Sequence, residues 1–291
     1  MTYQFSGRVI LVTGGAGGIG SALCHRFAPR GAVCLVADID AARAEKVAAG
    51  LPGAGHAGIA CDLLDRAAVE EMFDEVSNTY GRLDVLVNNV GTTSAERFDV
   101  RSVESIRREI EVNLLSPLIT TRIAIPLLHR APDPRVVTTV SLGGIFPLGE
   151  TPIYTASKFG LRGAMLSIAL DLRDKGILAG SVMPSATDTR MLRQEAVDGG
   201  NTLQFQDPPQ QPLDVVNAVQ RLLDRPALEV YPKPSESYLV RAAMLAPNLL
   251  PRLIPLFRKK GERGMARYLE ELRRRGLARQ VDGRWELVEE A

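Results

Sequence analysis

Hydrophobic positions along the first two thirds of the chain alternate between short β-branched runs and longer segments of helical period. Val9-Ile10-Leu11-Val12 is an apolar run ending at a glycine cluster, the pattern of a buried strand. Behind it Ile19, Leu23 and Phe27 recur every four residues, which predicts a helix stopping near Gly31. Residues 33–36 and 58–61 predict the second and third strands, 83–87 a fourth and 135–140 a fifth. Between them, residues 65–80 set Val69, Met72, Phe73, Val76 and Tyr80 on one helical side and Glu70, Glu71 and Asp74 on the other. Residues 103–128 read as one long helix. Near-continuous apolar strands separated by helices imply a parallel sheet covered on both faces. The expected fold is therefore a doubly wound α/β, three layers in the order α/β/α.

Ligands of such sheets bind outside the carboxyl ends of the strands, near the switch in strand order. The residues just after each strand are thus the candidates for chemistry. After the first strand stands Thr13-Gly14-Gly15-Ala16-Gly17-Gly18-Ile19-Gly20, one residue longer in spacing than GxGxxG. Glycine lets the backbone approach a pyrophosphate at a helix N-terminus, where the dipole also favours an anion. Glycine-rich turns also occur without a ligand, but a turn between strand and helix points to a dinucleotide. Asp38 follows the second strand, 24 residues beyond Gly14. A carboxylate there accepts from adenosine ribose hydroxyls and repels a 2′-phosphate, and the first cation after it is Arg43. This predicts NAD rather than NADP. Cys61-Asp62-Leu63 and Asn88-Asn89-Val90-Gly91 end the third and fourth strands.

The strongest chemical signal is Tyr154-Thr155-Ala156-Ser157-Lys158. Residues four apart share a helical face, so the phenol and the ammonium point the same way. A free phenol titrates near 10 and exchanges protons poorly at neutral pH; a nearby cation lowers that value. Ser141 stands 13 residues upstream, at the end of the fifth strand.

In the order of their motifs, TGGxxGIG, NNVG, Ser141 ahead of YTASK, and residues 184–189, the chain resembles the short-chain dehydrogenase/reductase family over about residues 6–232. The resemblance implies a Rossmann fold over residues 1–235. It places the cofactor pyrophosphate on Gly14, Gly18, Ile19 and Gly20, the adenosine ribose on Asp38, and the adenine against Asp62 and Leu63. Asn89 and Gly91 match the family's NNAG segment, with Val90 in place of alanine. Ser141 is expected to hydrogen-bond the substrate oxygen and Tyr154 to transfer the proton. Lys158 is expected to lower the tyrosine pKa and bind the nicotinamide ribose. Asn113 resembles a fourth catalytic residue that organises a water chain to the lysine. Pro117 supports that role, since it cannot donate to the Asn113 carbonyl. Thr187 and Thr189 are expected to contact carboxamide and phosphate. Ser185 replaces a family glycine, a change that costs on the order of 1 kcal/mol if the position needs positive φ. A homodimer or homotetramer is also implied.

Residues 191–211 are polar, with Gly199-Gly200 and Pro208-Pro209, as expected of a mobile lid. Residues 212–225 return to helix and 228–231 read as the last strand. The chain then continues into a C-terminal helical extension, residues 236–291, apolar first and basic afterwards. Pro247, Pro251 and Pro255 recur every four residues, which predicts that no long helix crosses them. Residues 252–279 hold ten Lys+Arg against three Glu. An apolar and basic stretch suits peripheral contact with an anionic membrane, but a cap over the pocket or a subunit interface is the preferred expectation. An apolar extension beside the pocket also suggests a bulky hydrophobic substrate such as a steroid, retinoid, terpene or lipid-like alcohol.

Charge and composition narrow the rest. A net charge of +1 gives no nucleic-acid footprint. Three cysteines and three histidines, scattered, indicate neither a disulfide framework nor a metal site. A reduced, cytoplasmic setting is expected, membrane-associated if the extension docks on lipid. The N-terminus reads as a first strand rather than a secretion signal, and no run of about 20 uncharged apolar residues stands out. The expected activity is NAD-dependent hydride transfer between nicotinamide and a hydrophobic secondary alcohol or ketone. One alternative is a keto- or hydroxyacyl thioester enzyme. Another is a non-catalytic dinucleotide sensor, which predicts a broken catalytic set, whereas Asn113, Ser141, Tyr154 and Lys158 are all present.

Overall fold

A computed structural model describes residues 2–288. The apolar runs form strands β1 (Val9–Thr13), β2 (Val33–Asp38), β3 (Ala57–Ala60), β4 (Val85–Asn88), β5 (Arg135–Thr139), β6 (Leu178–Val182) and β7 (Glu229–Val230). They pair in parallel in the order β3-β2-β1-β4-β5-β6-β7, with Ile10 opposite Cys34 on one side and Val85 on the other. The order reverses between β1 and β4, which opens the ligand crevice there. Every residue of β1 and β4 is buried, as a strand covered on both faces requires.

Helices α1 (Gly18–Phe27), α2 (Ala41–Ala49), α3 (Arg66–Tyr80), α4 (Val103–Ile110), α5 (Ser116–Leu128), α6 (Pro152–Arg173), α7 (Arg190–Val197) and α8 (Pro212–Asp224) complete the layers. Their starts are written in side chains. Asp40, Asp65 and Ser102 accept from backbone N–H groups of Arg43, Ala67 and Ser105 at 3.0, 2.9 and 3.1 Å. Two cores result, one between the sheet and α1, α2 and α8, the other between the sheet and α3, α5 and α6.

The predicted helix over 103–128 is continuous but widens to a π turn over Glu111–Leu115, where Ser116 N–H reaches back to the Glu111 carbonyl. By length and apolarity this helix is long enough to cross a membrane, contrary to the sequence expectation. It packs on α3 and α6 and is a helix of the fold.

The last quarter departs further. The lid segment is built rather than loose: α7 and a 3₁₀ turn, Thr202–Phe205, pack against the extension. The three prolines do not break the extension's helix. Pro247 opens a 3₁₀ turn between α9 (Pro234–Met244) and α10 (Leu250–Arg274). Pro251 sits in the first turn of α10, where an N–H has no intrahelical acceptor, and Pro255 removes one bond only. The extension is also not purely helical, since it ends in a hairpin, β8 (Ala278–Val281) and β9 (Arg284–Leu287), around an Asp282-Gly283 turn with both φ positive.

Candidate functional site

At the switch point Gly14 takes φ +59°, and Val90 Cα lies 3.1 Å from where its Cβ would stand. A Cβ on Gly20 would meet the Gly14 carbonyl oxygen at 2.3 Å, so α1 can start this close beneath the turn only with glycine there. The turn forms one end of an open cavity of about 1090 Å³ along the carboxyl edge of the sheet. Among the residues expected from sequence, Gly14, Gly18, Ile19, Asp38, Asp62, Leu63, Asn89, Gly91, Ser141, Tyr154, Lys158, Thr187 and Thr189 line this one cavity. Gly20 and Asn113 do not; the first supports the turn from below and the second is fully buried behind it.

At the adenosine end, Asp38 accepts from Ala16 N–H at 3.1 Å and Asp40 N–H at 3.2 Å, which fixes its carboxylate beside the glycine turn. Arg43 lines the same end and donates to the Ala16 carbonyl at 3.0 Å. Asp62 accepts from Leu64 N–H at 3.0 Å. Asn89 donates to the Gly14 carbonyl at 3.3 Å and accepts from Thr139 Oγ1 at 3.2 Å, tying the turn to β5.

Past β4 the side chain of Asn113 holds the backbone of Thr92 on both sides, accepting from its N–H and donating to its carbonyl, each at 2.8 Å. It also donates to Ser157 Oγ at 3.1 Å. That amide is therefore fully used in shaping the loop that carries Gly91, and only its backbone carbonyl is free of Pro117.

At the other end α6 presents Tyr154 and Lys158, with Nζ 5.6 Å from the phenol ring centroid. Ser141, at the end of β5, accepts from Gly143 N–H at 3.0 Å and stands beside the phenol. Burial pushes the Tyr154 phenol up to about 12, only partly offset by the Ser141 hydroxyl. Burial pushes the Lys158 ammonium down to about 8, against the carboxylate of Glu109. Desolvation is thus the largest influence on both groups in this state.

Ser185 needs no positive φ, since Asp282 is the one non-glycine residue with it among the described residues, so serine carries no strain. The Thr187 hydroxyl is already engaged by the Ser185 carbonyl at 3.0 Å and Gln210 Nε2 at 3.1 Å. Thr189 caps α7 and lies over Gly18, with Cγ2 3.2 Å from where a Cβ there would stand.

Two buried carboxylates escape the sequence reading. Glu109, four residues before Asn113, pairs with Arg101 at 2.6 Å, both side chains 2% exposed. Burial raises its pKa. Nothing in the charged run of α4, Glu104 to Glu109, marks this carboxylate as the buried one. Glu195 lines the cavity beyond Tyr154, and burial pushes it up to about 7 although Asn201 N–H and Gln204 Nε2 donate to Oε1 at 3.3 and 2.6 Å. Nothing in the polar run 191–211 marks it as buried.

No described residue of the extension lines the cavity. The basis for a bulky apolar substrate is thereby removed. The extension instead grips the cavity wall from behind. Asp188, between the two threonines, accepts from Tyr268 Oη, Arg193 Nε and Arg275 Nη1 at 2.7, 2.8 and 2.7 Å. Burial alone would raise that carboxyl, but these donors hold it below the usual range.

A glycine-floored cleft at the switch point of a parallel sheet, with Ser, Tyr and Lys converging at its far end, defines a doubly wound protein built for a dinucleotide. The chain matches the short chain dehydrogenase family over residues 8–198 and belongs to it, an oxidoreductase family. It is 31% identical over 199 residues to D-threitol dehydrogenase of Mycolicibacterium smegmatis, covering 68% of this chain and 76% of that one. It is 32% identical over 191 residues to a 3-oxoacyl-[acyl-carrier-protein] reductase of Thermotoga maritima, covering 65% and 77%. The fold matches a Burkholderia phymatum short chain dehydrogenase/reductase solved in complex with NAD, with TM-score 0.77 at 21% identity over 85% of this chain and 96% of that one.

Proposed function

We propose that this chain is an NAD-dependent dehydrogenase/reductase of secondary alcohols and ketones. The observation that carries the reading is the convergence of Ser141, Tyr154 and Lys158 on one wall of the cavity whose other end holds Asp38. The residues fit a dinucleotide: Gly14, Gly17, Gly18 and Ile19 line the cavity at the N-terminus of α1, and the Asp38 carboxylate is fixed at its edge, placed to receive ribose hydroxyls. Gly14, Gly18 and Ile19 would hold the pyrophosphate, with Gly20 supporting their turn from below, Asp62 and Leu63 the adenine, and Asn89, Gly91, Thr187 and Thr189 the nicotinamide half. A nicotinamide bound there would supply the hydride chemistry.

The protein's own part is proton management. Ser141 hydrogen-bonds the substrate oxygen and orients it toward Tyr154. The phenol, at about 12, holds its proton at neutral pH, the form that protonates the oxygen of a ketone during reduction. Oxidation needs the phenolate beside a charged Lys158, so its rate should climb from pH 7 to about pH 8 and level off above it. Lys158, at about 8, is mostly charged at pH 7 and stabilises that phenolate as it forms. Asn113 keeps the Thr92 loop in place.

Polar groups at the substrate end, Ser141, Gln204 and Glu195 among them, favour an alcohol with further hydrogen-bonding groups over a wholly apolar one. The relatives include D-threitol dehydrogenase and a 3-oxoacyl-[acyl-carrier-protein] reductase, so polyols and 3-oxoacyl thioesters both belong in the test. Exposed Leu115 in the π turn, Ile119 on α5 and Leu170 on α6 suit a homo-oligomer.

The test is nicotinamide reduction or oxidation by the purified protein. Polyols, apolar secondary alcohols, ketones and 3-oxoacyl thioesters are each offered with NAD and with NADP, and Tyr154→Phe serves as the blank. Turnover with NAD that disappears in the variant supports the reading. Turnover with NADP alone overturns the role of Asp38, and NAD binding without turnover on any panel member favours a sensor.

A further inference from the structure

Helix α10 has one face made of residues 253, 257, 261, 264, 268 and 272, three or four apart. From Gly261 onward that face is buried. A Cβ on Gly264 would lie 1.8 Å from the Phe205 carbonyl oxygen and one on Gly261 2.3 Å from that of Thr202, so helix and turn meet backbone to backbone. Tyr268 and Leu272 close a third core with Leu192, Ala196 and Phe205. Before residue 258 the side chains of this face stay large and apolar, and past the buried Leu250 they are more exposed, Leu253 36% and Phe257 44%. Leu253, Leu256 and Phe257 share it at i, i+3 and i+4, and Leu245 and Leu249 precede them; Leu245 is 88% exposed and Leu256 73%.

Isolated exposed leucines need no explanation, but a contiguous set along one helix and its approach does. The charge beside it says what covers it. Residues 241–263 contain six Lys+Arg and one acid. Arg252, Lys259 and Arg263 are exposed, form no ion pair among the described residues, and fall with Leu256 at spacings of four, three and four. They thus make a cationic edge along the apolar row. A second copy docked through this face would bring two like-charged edges together. A protein groove would have to supply both an apolar floor and an acidic rim, whereas an anionic bilayer offers a hydrocarbon boundary under a negative surface.

We infer that residues 238–263 form a membrane-docking surface, which seats Leu245, Leu253, Leu256 and Phe257 among the acyl chains of an anionic leaflet, with Arg252, Lys259 and Arg263 on its phosphates. The catalytic cavity stays outside the bilayer. Because Tyr268 and Arg275 of the same helix hold Asp188, the docked segment is rigidly joined to the wall of the cavity.

The full-length protein is sedimented with vesicles of phosphatidylcholine alone and of phosphatidylcholine mixed with phosphatidylglycerol, whose negative surface attracts basic segments. Binding to the anionic vesicles is expected to be at least about tenfold stronger, and to weaken with salt. Arg252→Ser with Lys259→Ser should remove the preference, and Leu253→Asp with Leu256→Asp should remove binding, with unchanged circular dichroism and melting temperature. Leu256→Trp gives an independent, positive reading: its fluorescence should shift blue on anionic vesicles and be quenched by brominated acyl chains. Equal binding to both vesicles, no binding to either, or a Leu256→Trp signal unmoved by lipid overturns the inference. So does a dimer that Leu256→Asp dissociates in the absence of lipid binding, which would make a second copy the occupant. None of these readings depends on turnover.

Discussion

Two regions of this molecule bring backbone against backbone through glycine, and the chain announces them very differently. At the switch point Gly14 and Gly20 let a helix start beneath a strand end. The surrounding order of strand, turn and helix makes the glycines readable. On α10, Gly261 and Gly264 let a helix lie on the Thr202–Phe205 turn. There, in sequence, they look only like weak points in a basic helix. The first site is a cavity that must stay open for a ligand, and its neighbours are polar. The second is a closed seam with a small apolar core of its own. What joins them is Asp188: one end of its segment is capped into the cavity wall, the other is held by the extension. The lesson is that a docked extension can be structural support for a site it never touches.

The largest expected effect separates the two regions at once. Tyr154→Phe should lower turnover about 10²–10⁴-fold, the range for loss of a positioned acid/base. Cofactor binding and the docking of the extension should be unaffected, as read by nicotinamide fluorescence and limited proteolysis. If turnover survives, proton transfer belongs elsewhere and the cavity's far end has been misassigned.

Gly264→Val tests the other side. A side chain aimed at the Phe205 carbonyl oxygen forces helix and turn apart, for which about 1–3 kcal/mol is expected. The third core should open to protease near residues 202–205 and the melting temperature should fall, while the sheet retains NAD. An unchanged melt and unchanged protection would mean that the seam contributes nothing to the fold.

How far sequence reaches follows the same division. Apolar runs of four or five residues fix the strands, and the end of each strand names the next group in the cleft, so Asp38, Asn89 and Ser141 are readable from position, and Tyr154 from its four-residue spacing to Lys158. Asn113 is readable as unusual, but not as the clamp on the Thr92 backbone, because the partner is main chain. Burial of a carboxylate leaves no mark on a polar stretch, so Glu195 stays hidden. The prolines of the extension mislead, because their effect depends on whether they fall in the first turn, which only the true helix start decides. The hairpin carries an Asp-Gly pair that is a legible turn signature, but its strands are mostly exposed and show no strong alternation.

A smaller effect sharpens the cleft itself. Asp38→Ser removes the charge that repels a 2′-phosphate and the acceptor for ribose hydroxyls. The ratio of kcat/KM for NAD over NADP should fall about tenfold, equivalent to about 1.4 kcal/mol, with Arg43 close enough to receive the added phosphate. An unmoved ratio would show that Asp38 serves the turn only, through its bonds to Ala16 and Asp40.

The smallest effect is a contrast of sign between two carboxylates, one from each region. Glu195 in the cavity is held near 7 by burial, above its ordinary 4.5. Between those values the folded protein keeps a proton that the unfolded chain has released. Its contribution to stability is therefore complete below about 4.5 and is lost as pH rises through 7. Asp188 at the seam is depressed below its ordinary 3.8 by its three donors, so its contribution is present above that value and is lost only as pH falls through the lower folded value. Glu195→Gln keeps an acceptor for Asn201 and Gln204 while removing the buried charge. Urea unfolding should find this variant more stable than the parent at pH 8, by on the order of 1 kcal/mol, and nearly equal to it at pH 5. Asp188→Asn should show no such dependence over that window, being destabilised at both pH values. If Glu195→Gln shifts stability equally at pH 5 and pH 8, its carboxyl is ionised throughout. The cavity would then be as well supplied with donors as the seam.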